Sequence, residues 1–83
     1  MEQPPHGLRR RWVAEPGSEL ARLRQECHRV FDPLWDFGIM TRQEVYRRLA
    51  RALGVHQMNC HFGMFDEQLC RRALSLRATI VED

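Results

Sequence analysis

From residue 20 to residue 34 the large apolar side chains recur at intervals of three and four: Leu20, Leu23, Cys27, Val30, Phe31 and Leu34. Only a helix brings residues at that spacing onto one face. The start is marked as well. Ser18 follows Pro16-Gly17 and suits an N-cap, and Glu19 falls in the first turn, where the helix dipole favours an acid. Pro33 has no amide to give to the carbonyl four residues back, so the spacing predicts a bend or break near Phe31-Asp32. Asp32 is placed to cap a restart with Pro33 at its first position. Leu34, Trp35 and Phe37 then supply bulky core groups, and Gly38 ends the segment.

A second helix opens on Thr41-Arg42-Gln43-Glu44, a capping box in which Thr41 accepts from the Glu44 amide and Glu44 reaches back. Val45, Tyr46, Leu49, Ala52 and Leu53 form its apolar face, and Gly54 is a natural terminator. Residues 55–65 are too rich in Met, His and Phe for an ordinary loop. They are expected to fold back over the helices and bury Met58, Phe62, Met64 and Phe65, with Gly63 at a positive backbone angle or a close approach. Asp66 caps a third helix carrying Leu69, Cys70, Ala73, Leu74 and Leu76, and Thr79 to Asp83 form a short tail. Pro4, Pro5, Gly7, Pro16 and Gly17 rule out a helix before residue 18, although Trp12 has the surface to dock this arm. The expected architecture is all-α: an irregular N-terminal arm at 1–17, then one domain at 18–83. That domain is a small three-helix fold, its first helix bent at Pro33, with an apolar connection closing the core.

At 83 residues there is room for one domain with a modest core. No apolar run approaches the roughly 20 residues that cross a bilayer, and Met1-Glu2-Gln3-Pro4-Pro5 lacks a secretion signal, so a cytoplasmic location without membrane contact is expected. All 13 basic residues are arginine. Residues 42–77 hold seven of them against Glu44, Asp66 and Glu67, a bias that suits an acidic or phosphate-bearing partner. Three cysteines, Cys27, Cys60 and Cys70, with no C-x-x-C, argue for reduced, partly buried thiols rather than a disulfide framework.

Three stretches carry a family pattern: His28-Arg29-Val30-Phe31-Asp32-Pro33-Leu34-Trp35, then Arg42-Gln43-Glu44-Val45-Tyr46-Arg47-Arg48-Leu49-Ala50, then Cys60-His61-Phe62-Gly63-Met64-Phe65-Asp66-Glu67-Gln68-Leu69-Cys70-Arg71-Arg72. Together, over residues 16–75, they resemble the zinc-finger-containing domain of unknown function found in phage, prophage and plasmid-borne bacterial proteins. The resemblance implies origin on a mobile genetic element and a helical body. The paired-cysteine finger of that family lies upstream of these motifs, and this chain has no such pairs.

Four constellations bear chemistry. His28, Cys60, His61 and Cys70 are the residue types zinc prefers, but their spacing does not form a finger, and no metal or cofactor is expected. Cys60, His61 or Cys70 as a nucleophilic pair lacks a third, orienting group, so no enzyme is expected. Asp32 and Trp35 read as cap and core. The arginines at Arg42, Arg47, Arg48, Arg51, Arg71, Arg72 and Arg77 merge into one basic surface if the second and third helices lie side by side. The resulting expectation is a non-enzymatic interaction protein, a steric inhibitor of a host defence complex of the anti-CRISPR type. Its partner is a Cas protein or a crRNA-bound complex, and Arg42, Arg47, Arg48, Arg51, Arg71 and Arg72 form the contact surface. The alternative is a module that binds nucleic-acid backbone or a zinc-dependent regulator. An exposed Trp12 or Phe37 would suit a dimer.

Overall fold

The computed structural model describes residues 14–82. Four helices follow one another: α1 (Glu19–Asp36), α2 (Arg42–Leu53), α3 (Glu67–Ser75) and α4 (Arg77–Glu82). Two single 3-10 turns, Gln57–Asn59 and Phe62–Met64, lie between α2 and α3. The caps are those the sequence marks. The Ser18 hydroxyl accepts from the Ala21 amide, Thr41 from Glu44 and Asp66 from Leu69. Gly54 closes α2 in the left-handed region (φ 73°), and the Val55 amide returns to the Ala50 carbonyl, the Schellman arrangement. Of the expected arm, only Ala14 to Gly17 are described, and there the Ser18 amide bonds the Glu15 carbonyl. The expectations for Trp12 and the preceding arginines lie outside the described residues.

The core is one cluster drawn from every element. Leu23, Cys27, Phe31 and Leu34 come from α1; Val45, Tyr46, Leu49, Ala50 and Leu53 from α2. Cys60, Phe62 and Phe65 come from the connection, Leu69, Cys70 and Ala73 from α3, and Ile80 from α4. The all-α fold with an apolar connection closing its core is therefore as the sequence indicates.

Several details differ, each for a packing reason. The break and restart at Asp32-Pro33 do not form, and α1 runs unbroken to Asp36. Phe31 and Leu34, on either side of Pro33, are both fully buried, so tertiary packing holds the last turn across the missing hydrogen bond. Phe37 is the residue on which the chain leaves α1, and it is 80% exposed rather than a core group. On α2 the buried face takes Ala50 and leaves Ala52 in solvent. Met58 is 77% exposed and Met64 half-buried, so of the four residues expected to close the core only Phe62 and Phe65 are fully buried, with Cys60 beside them. Gly63 has neither a positive φ nor a neighbour within 4 Å of a would-be Cβ. The expected tail is helix α4, held by the burial of Ile80 and by Arg48, whose Nη1 donates to the Ile80 carbonyl at 2.9 Å.

That last contact makes a prediction. Arg48→Ala removes a charge-assisted bond worth about 1.5–3 kcal/mol. Amide exchange in α4 then accelerates by one to two orders of magnitude, while the amides of α1 and α2 keep most of their protection.

Candidate functional site

The three sequence motifs meet around one ring. Phe62, 1% exposed, packs against Phe31 (centroids 5.5 Å apart), Tyr46 (5.3 Å), Phe65 (5.7 Å) and His28 (5.1 Å). Its 3-10 turn delivers it there: the Met64 amide bonds the His61 carbonyl and the Phe65 amide bonds the Phe62 carbonyl. Around this buried centre lies a polar and aromatic rim. His28 Nδ1 is 3.1 Å from Asp32 Oδ1, one turn along α1. His61 lies edge-on to Tyr46 at 5.4 Å, and Trp35 meets the same ring at 5.9 Å. The Arg42 guanidinium stands over both, 5.8 Å from the Trp35 centroid and 5.7 Å from that of Tyr46, a cation–π arrangement. Burial raises the Tyr46 pKa, and the Arg42 charge works against that rise. The individual motifs are legible in the sequence; their convergence on Phe62 is a tertiary fact that local spacing does not carry.

Arg24 is a residue the sequence reading passes over. It sits on the buried stripe of α1, 9% exposed, and its Nε donates to the Phe65 carbonyl at 3.1 Å. It thereby ties the end of the connection to the first helix. The available signal is its register, four residues after Leu20 and three before Cys27.

The six proposed contact arginines divide by what they already hold. Arg47 and Arg48 both pair with Glu44, the former with Nε at 2.6 Å, and this pairing lowers the Glu44 pKa. Glu44 thus holds the two arginines where the capping box has it reach back to Thr41. Arg71 reaches Glu67 at 3.9 Å and, across to α1, Glu19 at 3.8 Å. Arg42 rests on its two rings. Arg51 and Arg72 are exposed and make no ion pair among the described residues; the same is true of Arg77. A depression of about 340 Å³ lined by Leu20, Asp66, Glu67, Gln68 and Arg71 lies beside the α1–α3 pair; its charged residues Asp66, Glu67 and Arg71 are already engaged in a cap or ion pairs.

The thiols are packed. Cys27, Cys60 and Cys70 are each fully buried. Cys27 Sγ lies 3.6 Å from the Cys70 carbonyl, and hydrogen bonding to Cys70 followed by burial pushes the Cys27 thiol far up. Burial alone pushes Cys60 up to about 12. The Cys27 and Cys60 thiols, held protonated in this way, are poor nucleophiles and poor metal ligands at neutral pH, whereas the same bond with Cys27 shifts Cys70 down. Among the described residues no three of His, Cys, Asp and Glu come together as a metal site.

The Cys60 shift has a pH signature. An unfolded thiol ionises near about 8.5, and the buried one resists until about 12. Its contribution to stability is complete below the lower value and drains away as pH rises toward the upper one. Denaturant titrations are expected to show a falling midpoint across that window. Cys60→Ala should flatten the fall by up to one proton's worth, roughly 1.4 kcal/mol per pH unit. An unchanged slope in the variant would mean that Cys60 ionises freely in the folded chain.

No curated protein and no solved structure matches the chain. One family model, described as a zinc-finger-containing domain, matches residues 11–80 and so takes in every helix but the end of α4, together with the whole Phe62 cluster. On that match the chain belongs to the zinc-finger-containing domain family.

Proposed function

We propose that this chain is a non-enzymatic interaction protein of mobile-element origin that blocks a host defence complex by occupying its surface, in the manner of an anti-CRISPR inhibitor. The observation that carries the reading is the state of its arginines. Arg51 on α2 and Arg72 on α3 are exposed and hold no carboxylate among the described residues, and Arg42 is oriented by two aromatic rings rather than by an acid. A guanidinium without an internal partner keeps its fork of donors for a carboxylate or phosphate on another molecule. The burial of all three thiols, with Cys27 and Cys60 held protonated, favours binding over chemistry. Small size and mobile-element resemblance supply the defence-complex part of the reading.

Within the proposed surface the contacts rank by cost. Arg51 and Arg72 are free to turn outward and are the leading contacts, with Arg42 beside them. Arg47 and Arg71 must first leave Glu44, Glu19 or Glu67. Arg48, bound to the Ile80 carbonyl, serves the fold first. No helix among the described residues is long and apolar enough to cross a membrane, which suits a partner met away from lipid.

The test is affinity capture of the tagged chain from a bacterial lysate containing CRISPR effectors, with and without nuclease. The expected result is a stoichiometric effector protein that survives nuclease. Its recovery should drop about tenfold or more in the Arg51→Glu/Arg72→Glu variant, equivalent to at least about 1.4 kcal/mol, with helix content unchanged. Recovery of nuclease-sensitive nucleic acid alone would replace this reading with backbone binding, whose affinity falls steeply with salt. Recovery of no effector would remove the defence-complex assignment.

A further inference from the structure

The family is described by a zinc finger, and the donor atoms of this chain do not fit one. A structural zinc ion takes four nitrogen or sulfur ligands in a tetrahedron. The chain holds three cysteines and four histidines, and only His6 lies outside the described residues. Any four-ligand site would therefore draw at least three ligands from Cys27, Cys60, Cys70, His28, His56 and His61. No such group of three exists among the described residues.

The individual donors are also committed. The cysteines are fully buried, and Cys27 gives its S–H to the Cys70 carbonyl. His28 is paired with Asp32 and packed on Phe62. His56 accepts from the Met58 amide, and His61 stands edge-on to Tyr46. A finger uses its metal to hold an irregular segment onto a helix too small to bury it alone. Here the irregular segment between α2 and α3 is held by Phe62 and Phe65, each 1% exposed or less, and by the bond from Arg24 to the Phe65 carbonyl.

We infer that these 83 residues fold without metal, and that the ring cluster around Phe62 does the cross-linking that zinc does in a finger. The experiment uses the full chain, expressed in zinc-supplemented medium and desalted. Zinc is counted by elemental analysis, and helix content is followed on heating with and without EDTA. Cobalt(II) is added to a separate sample as a spectroscopic stand-in, since thiolate ligation gives it intense charge-transfer absorption. The expected outcome is below about 0.1 zinc per chain, a melting midpoint moved by less than about 1 °C with EDTA, and no cobalt–thiolate band. About one zinc per chain, loss of helix with EDTA, or a thiolate band on cobalt would each overturn the inference.

Discussion

The structure depends on the burial of one ring. Phe62 arises from a segment with no regular hydrogen-bond ladder, yet it touches α1 through His28 and Phe31 and α2 through Tyr46. A buried phenylalanine contributes several kcal/mol, and edge-on and tilted ring pairs add to this. That is a large share of the stability of an 83-residue domain. The neighbouring side chains are arranged around it: Phe65 edge-on beneath, Arg24 on the backbone that follows, and His61, Tyr46, Trp35 and Arg42 in succession across the rim. With Phe65 and the bond from Arg24 to the Phe65 carbonyl, this ring anchors the connection that leads into α3, which packs against α1.

What was legible in the sequence was local. Ser18, Thr41 and Asp66 act as caps because a side-chain oxygen and an amide three residues on need nothing else to meet. Gly54 ends α2 because only glycine enters the left-handed region cheaply. What was not legible was tertiary. Pro33 reads as a break, but the burial of Phe31 and Leu34 carries α1 past it. Thr79-Ile80-Val81 reads as a tail because β-branched residues are weak helix formers, and Ile80 in the core with Arg48 on its carbonyl reverses that preference. Phe37 reads as core from its size alone, whereas its place at the helix end turns it into solvent.

The candidate site follows the same division. Sequence identified a run of arginines with too few acids on their own helices. It could not show that Arg71 reaches Glu19 on α1, that Arg48 is spent on α4, or that Arg42 is fixed by Trp35 from another helix. The basic face is consequently narrower than the count of arginines suggests, and the guanidiniums of Arg51, Arg72 and Arg77 are the ones on it without an ion pair among the described residues. Likewise the zinc-like residue types are present, but the fold distributes them among helix packing, a cap and ring contacts.

The most direct measurement of the account is native-state hydrogen exchange on the unmodified chain. The amides of Cys60, Met64 and Phe65 are all hydrogen-bonded within the 3-10 turns. If Phe62 integrates the connection with the helices, these amides open only with the global unfolding that also exposes Phe31 and Leu49. Their exchange free energies then equal those of the α1 and α2 core. Exchange of the connection at a free energy several kcal/mol lower, with α1 and α2 still protected, would contradict the account and make the helices, not the ring, the foundation of the fold.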